Sequence, residues 1–436
     1  MKKLITLFLV VGICSSASAQ DILTVEDAVQ IALENNYDIK IAENSFEITE
    51  NDATLGNAGF LPRVTASFNR NFGRQSFDQL RASGDVREES GVKSNSLSYG
   101  ARLDWTIFNG LGMFVASDIL KELTALEKEN LKFQIQTTIF ELQSSFYLAA
   151  AEKERLRLLN SNVTLSEDRL QVAKQKYELG KASKLEYLQA QVDLNADRSN
   201  YIQQIERLAR GKFDLLQLMA LDTDSIEFDL DYTLLFDNEL NLNDLLSAVE
   251  MQNPELTSLK KQELLRHQNE LLLKSEMLPS VGLFADFTHT NSESPAGFVV
   301  ENTSDNITYG LSASWVLFDG FNLQRRKQNA RIDSETAQFQ YENRLLAIKT
   351  DIKTNYLNYR NNLDLLTLER ENLEVAKENN EIAQERYEIG LSNALELRES
   401  QINLINAELR AQNAAFAAKV AEITLKFLAG TSIKTK

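Results

Sequence analysis

The stretch Tyr99-Gly100-Ala101-Arg102-Leu103-Asp104-Trp105-Thr106-Ile107-Phe108-Asn109-Gly110 decides how the chain folds. Tyr99, Ala101, Leu103, Trp105 and Ile107 fall on one side, and Gly100, Arg102, Asp104 and Thr106 on the other. That is the period of two expected of a strand with one apolar and one polar face. The stretch then recurs: Tyr309-Gly310 leads through Trp315 and Phe318 to Gly320, an offset of 210 residues (309 − 99). The same offset carries Tyr177-Glu178-Leu179-Gly180 onto Tyr387-Glu388-Ile389-Gly390. Leu61-Pro62 returns as Leu278-Pro279, and Asp27 as Asp244, both at an offset of 217 (278 − 61). A chain that says the same thing twice is read as one unit used twice.

Working outward, a second alternating run precedes each of these. Val64, Ala66, Phe68 and Phe72 face one way and Thr65, Ser67, Asn69 and Asn71 the other. In the second half Val281, Leu283, Ala285 and Phe287 alternate with Gly282, Phe284, Asp286 and Thr288. Apolar-out, polar-in strands of about 10 residues with aromatics near their ends fit a lipid-facing barrel with a wet interior. A soluble antiparallel sheet shows the same alternation. The polar connections Gly73–Lys93 and His289–Asn306, and the N-terminal segment described next, favour the membrane. Trp105, Trp315, Tyr99 and Tyr309 are then candidates for the aromatic belts at the membrane interfaces.

Residues 1–19 carry Lys2-Lys3, an apolar run from Leu4 to Ile13 and the small-residue site Ala17-Ser18-Ala19, as a cleaved signal peptide does. Cys14, the one cysteine, leaves with it, because bulky Ile13 spoils a lipoprotein signal. The mature chain then has no thiol chemistry. Loss of two lysines takes the net charge from −17 to −19, which excludes a nucleic-acid partner that needs a basic footprint.

After each strand pair comes a long helical region. Leu111 to Leu179 contains no proline and would span roughly 100 Å; Gly180-Lys181-Ala182-Ser183 breaks it, and Leu185 to Leu221 returns over roughly 55 Å. Phe321 to Ile389, the turn at Gly390-Leu391-Ser392-Asn393, and Ala394 to Leu428 repeat the hairpin. Leu185, Leu188 and Val192, like Ile402, Ile405 and Leu409, step by three and four, which is a coiled-coil seam rather than a globular face. A soluble coiled coil alone leaves the strands unexplained.

The organisation expected is therefore a signal peptide at 1–19 and a first repeat at 20–221, with short helices, strands 62–73 and 96–108 and hairpin 111–221. A linker, 222–240, leads to a second repeat at 241–436, with short helices, strands 280–289 and 306–318, hairpin 321–428 and a short tail. Four strands do not close a barrel; three copies supply about 12. The fold class is a mixed α and β membrane protein: a 12-stranded transmembrane β-barrel in a homotrimer, coaxial with an α-barrel of helical hairpins.

These residues resemble the outer membrane efflux proteins, the TolC-like channel family. The resemblance rests on Arg386-Tyr387-Glu388-Ile389-Gly390 with Leu395-Glu396, on Tyr177 to Glu186, on Asn253-Pro254-Glu255-Leu256 and on the paired Leu-Pro strand starts. It implies a trimeric outer-membrane conduit whose helical tunnel hangs in the periplasm. Such a conduit docks with a periplasmic adaptor (membrane fusion) protein and an inner-membrane pump, or serves type I protein secretion. It implies no cofactor and no enzymatic activity.

By that resemblance Glu396 and Glu399, six and nine residues after Gly390, ring the pore aperture, and Glu186 is the matching acid of the first hairpin. Tyr387, with Tyr177 as its counterpart, makes the closing hydrogen bonds, and the turns at Gly180, Lys181, Gly390, Leu391 and Ser392 meet the adaptor. The family's gate arginine is replaced by Ser392; Arg386, Arg398 and Lys184 are the candidate substitutes, which the sequence does not place.

By spacing alone Glu396 and Glu399 are a solvated acidic patch on one helix face. A paired-acid glycosidase needs a pocket that coiled-coil surfaces rarely form. His267 and His289 lack zinc spacing, and Asn109-Gly110-Leu111-Gly112 lacks the phosphate-loop pattern, so it is read as a strand-to-helix joint echoed by Asp319-Gly320. The rival from another class is a non-conducting trimeric stalk or adhesin.

Overall fold

The computed structural model describes residues 22–80, 82–225, 228–237, 240–294 and 299–432. The signal peptide and Cys14 lie outside the described residues. In chain order the elements are β1 (Ile22–Leu23), α1 (Val25–Asn35), α2 (Tyr37–Asp52), β2 (Arg63–Leu80), β3 (Val86–Asn109), α3 (Gly112–Glu178), α4 (Lys184–Leu218), β4 (Asp229–Leu230), α5 (Leu242–Gln252), α6 (Pro254–Ser275), β5 (Ser280–Glu293), β6 (Glu301–Ser314), α7 (Asn322–Glu388) and α8 (Ala394–Leu428). Two short helices, two strands, a 67-residue helix and a 35-residue return helix thus occur twice. Among the described residues no helix is long and apolar enough to cross a membrane.

Local chemistry sets the boundaries. The Thr24 hydroxyl accepts from the Asp27 amide and so caps α1. Asn36 and Asn253 each break a short helical pair, and each donates its side-chain amide to the last carbonyl of a return helix, Leu218 and Leu428, both at 2.8 Å. Pro254 follows at the first helical position, where a missing N–H costs nothing. At the strand-to-helix joints Asn109 accepts from the Met113 amide and Asp319 from the Leu323 amide.

The chain divides into two compact units. One comprises residues 42–132 and 254–346 and holds the antiparallel sheet, ordered β2-β3-β5-β6. Its register aligns the four alternations. Phe68 opposes Tyr99, Ala101 opposes Phe287 and Phe287 opposes Ile307 on the apolar face; Thr65 opposes Arg102, Arg102 opposes Asp286 and Asp286 opposes Thr308 on the polar face. β2 and β6 are the edges. Phe68 and Phe72 on β2, and Ile307, Tyr309 and Leu311 on β6, are about as exposed as side chains become.

Three extents differ from the sequence reading. The polar connections Gly73–Lys93 and His289–Asn306 are largely strand, because the ladder of backbone hydrogen bonds continues where the apolar alternation stops. Past Asn95, which pairs with Glu293, β3 pairs with β2 alone. The last strand ends at Ser314 rather than 318, and Trp315 leaves the ladder to donate its indole N–H to the Met277 carbonyl at 3.0 Å. Trp105 does the same to the Phe60 carbonyl at 2.9 Å. Both tryptophans therefore clamp the chain two residues before a strand-opening proline.

The other unit comprises the described residues of 22–41, 133–253 and 347–432. Its core packs Ala28 and Ala32 of α1 against Leu142 and Phe146 of α3 and Leu215 and Leu216 of α4. The segment read as a linker is a strap across this core. Phe228, Leu230, Tyr232 and Leu234 turn inward, and β4 pairs with β1 in parallel. Lysines hold its carbonyls: Lys212 on Phe228, Lys153 on Leu230 and Lys419 on Leu235. Tyr359 donates to the Asp237 carbonyl, and Lys426 pairs with the Asp237 carboxylate. Residues of α3, α4, α7 and α8 are all tied to one short segment.

A methyl group at Gly100 would sit 2.2 Å from the Phe287 carbonyl oxygen, which belongs to the paired backbone and has no room to move. At Gly310 the nearest atoms, 3.2 Å away, belong to the Phe284 ring, which can turn aside. Gly100→Ala is therefore expected to cost about 3 kcal/mol, the upper end of overpacking, and Gly310→Ala under about 1 kcal/mol. Urea unfolding of the two variants measures the difference.

Candidate functional site

The two hairpin turns are built alike. Gly180 and Gly390 adopt the left-handed conformation, with φ of 69° and 80°. The Gly180 amide bonds to the Tyr177 carbonyl and the Lys181 amide to Lys176; the Gly390 and Leu391 amides bond to Tyr387 and Arg386. Each long helix thus ends by turning its last free carbonyls onto the two residues that follow. Ser183 then caps α4 and Asn393 caps α8. A helix stop and a helix start within a few residues make a tight reversal, and Leu179, Leu185, Ile389, Leu391 and Leu395 stand exposed around it.

The hairpins meet through Tyr387, which is 2 % exposed. Its ring packs with Ala383 and Leu397, and Val172 of the first hairpin lies against them. Its hydroxyl donates to Glu186 at 3.0 Å, and the Lys176 ammonium lies 3.4 Å from its ring centroid while bonding to its carbonyl at 2.8 Å. Burial, then the bond to Glu186, pushes the Tyr387 hydroxyl up to about 12. Tyr177, by contrast, is partly exposed and stacks on Tyr187 within its own hairpin.

Further from the turn, a buried ionic network joins the same helices. Arg398 of α8 grips Asp197 of α4 through two nitrogens, at 2.9 and 3.1 Å, and reaches Ser166 of α3. The Ser166 hydroxyl donates to Asp197 at 2.6 Å, and Arg169 pairs with Asp193. Of the three cations considered as stand-ins, Arg398 makes this cross-hairpin pair. Arg386 instead lies 3.6 Å from Glu396 in its own hairpin. Glu396 and Glu399 are exposed. Lys181 and Leu391 are exposed at the turns, whereas the Ser392 hydroxyl is buried without a partner.

Sequence reading missed Lys176, Ser166 and Asp197. A signal for the first exists: Lys176 and Arg386 are basic residues in the last turn of helices of equal length. Trp105 and Trp315 lie beside the strand starts that they clamp, whereas Tyr99 and Tyr309 lie within β3 and β6; Tyr99 stacks on His289 with centroids 4.8 Å apart.

The family model for outer membrane efflux proteins matches residues 28–220 and again 245–431. The chain belongs to the outer membrane efflux protein family. It is accordingly an outer-membrane transport protein, from a family of channels rather than enzymes. It is 22 % identical over 347 residues to the alkaline protease secretion protein AprF of Pseudomonas aeruginosa, covering 76 % of this chain and 68 % of that one. The outer membrane channel CmeC of Campylobacter jejuni superposes with a TM-score of 0.79 at 16 % identity, over 94 % of this chain and 87 % of that. The outer membrane protein VceC of Vibrio cholerae superposes at 0.76 and 14 % identity, over 93 % and 96 %. At these identities the likeness is one of fold.

Removing Arg398 leaves the Asp197 carboxylate buried without its counter-ion. Arg398→Met should cost about 3 kcal/mol, and Arg398→Met with Asp197→Leu should recover most of it, a cycle read by urea unfolding. Tyr387 supplies a pH dependence. Its hydroxyl is held above the free value of 10.0. The stability it adds is complete below pH 10 and disappears as the pH rises toward about 12. In Tyr387→Phe the unfolding midpoint should lose that alkaline component.

Proposed function

We propose that three copies of the chain form the outer-membrane exit duct of a tripartite efflux system, passing small molecules from a pump that spans the periplasm to the exterior. The observation that carries the reading is the sheet. Four strands share one largely apolar face, yet among the described residues both edges, β2 and β6, have no neighbour on their outer sides. Inside a bilayer an unpaired edge costs several kcal/mol per backbone group, so β6 of one copy pairs with β2 of the next until about 12 strands close. The two halves of each chain are copies of one unit, preceded by a signal peptide removed after residue 19. Trp105, Trp315, Tyr99 and Tyr309 sit at the membrane interfaces.

The helical hairpins form a tunnel in the periplasm that narrows at the turns. Glu396, Glu399 and Glu186 contribute to its aperture, repeated by the three-fold axis. Tyr387 with Glu186 and Lys176, and Arg398 with Asp197, hold the second hairpin to the first when the gate is shut. The exposed leucines and isoleucine around Gly180, Lys181, Gly390, Leu391 and Ser392 offer a periplasmic adaptor protein its docking surface. Solute moves passively, and the energised partner drives it.

The likeness to AprF favours a second reading, the outlet of a type I protein secretion system. The two readings share the duct and differ in the partner. A non-conducting stalk predicts no current at all. In a planar bilayer the purified protein should conduct with a preference for cations. Glu396→Ala combined with Glu399→Ala should lower the cation-to-anion permeability ratio severalfold; an unchanged ratio removes both residues from the aperture.

A further inference from the structure

Between α3, α4 and α8, next to the Arg398–Asp197 pair, lies a cavity of about 340 Å³. It sits where a coiled coil should be closed. Arg155, Leu159 and Asn162 of α3, Asn200, Gln204 and Arg207 of α4, and Ile402, Ile405 and Leu409 of α8 all follow the four-and-three spacing of seam positions. Seam positions want apolar side chains that interlock. Here only α8 supplies them throughout, and apart from Leu159 the facing positions are guanidinium and amide groups.

Three features of the cavity point to an occupant. Arg155, half-buried, and Arg207, exposed at the rim, line it, and among the described residues no carboxylate pairs with either. Arg398 adds a third guanidinium, whereas Asp197 is the one acid in the lining and is already engaged by Arg398 and Ser166. Asn162 is 4 % exposed, and its side-chain oxygen has no hydrogen-bond partner. A buried acceptor left unpaired costs about 1–3 kcal/mol, so it calls for a donor. Gln204 is not that donor, since its amide nitrogen is used by the Glu152 side chain and carbonyl. Opposite these groups Ile402, Ile405 and Leu409 form an aliphatic wall.

We propose that this cavity binds a small amphiphilic organic anion that carries a hydroxyl group. The carboxylate would lie against Arg155 and Arg207, the hydroxyl would donate to the Asn162 oxygen, and the aliphatic body would cover the Ile402–Leu409 wall. The site is formed within one chain, so its occupancy does not depend on the trimer. It also shares Arg398 with the contact between hairpins: a second carboxylate beside that guanidinium competes with Asp197 for it, which couples occupancy to the hold between hairpins.

The probe is 3-hydroxyhexanoate, titrated into the full-length protein in detergent while thermal unfolding is followed. A ligand that binds the folded state raises the midpoint progressively with concentration. The acid should do so, and its methyl ester and hexylamine should not. Arg155→Gln with Arg207→Gln should weaken the apparent affinity about tenfold, the scale of one lost charge-assisted hydrogen bond. Ile405→Trp, which fills the cavity without touching a charge, should abolish the shift even if the arginine variant folds poorly. An equal shift with the ester or amine, a shift that survives both variants, or no shift in the native protein at tens of millimolar acid each overturns the proposal. Bilayer conductance of the same preparations separates this from the transport reading: a conducting channel without anion binding sinks only the cavity.

Discussion

The rest of the molecule follows from the need of a peptide group for a hydrogen-bond partner where there is no water. On the proposed reading the sheet's apolar face meets the hydrocarbon of the outer membrane, which offers nothing to an N–H or a C=O. Within the sheet β3 and β5 satisfy each other and their neighbours. The outer sides of β2 and β6 are left with rows of unpaired groups, and no loop or helix of the described residues pairs with them. Such an edge is tolerable only against another strand. The exposed Phe68, Phe72, Ile307, Tyr309 and Leu311 lie on these same two strands, so in the proposed barrel lipid contact and edge pairing would make the same demand.

The hairpin tips show a different economy. A buried ion pair is seldom more stable than apolar side chains of the same volume. Arg398, Asp197, Ser166, Arg169 and Asp193 nevertheless occupy the interior between α3, α4 and α8. An aliphatic seam there would hold the helices together without any condition attached. A polar one holds them only while every charge keeps its partner, and it offers water and competing ions a way to release it. If the hairpins part and rejoin, as the proposed gate requires, contacts of that kind serve them better.

What the sequence made legible was whatever depends on local period. The strand faces, the doubled hairpins and the joints at Asn109 and Asp319 all sit in short windows whose chemistry is self-contained. Strand length was less legible, because alternation records which medium each face meets, whereas the hydrogen-bond ladder runs on through Gly73–Leu80 and Val86–Lys93 into a region where both faces are polar. The strap was passed over as a linker although Phe228, Leu230, Tyr232, Leu234 and Phe236 alternate. Apart from Lys212 of the preceding helix, its partners Lys153, Lys419 and Lys426 come from helices far away in sequence. The cross-hairpin contacts were hidden for the same reason: Arg398 and Asp197 are 201 residues apart, and only the packing of two finished hairpins fixes which cation reaches which acid.

The two ends of each return helix are held by unlike means, and this sets which end moves. At the C-terminal ends Leu218 and Leu428 are gripped by Asn36 and Asn253. Around them Leu215, Leu216 and Ile423 are buried in one core with Phe146 and Leu230, and the strap's carbonyls take up lysines from three helices. Loosening that end means exposing apolar area and several backbone groups at once. At the turns Tyr387 is the largest of the buried side chains in a small cluster, and the remaining hold is hydrogen bonds and charges. Local opening follows the fewest buried apolar contacts. The helices are therefore held more firmly at the strap than at the turns, and on the proposed reading a docked adaptor would part them at the turns.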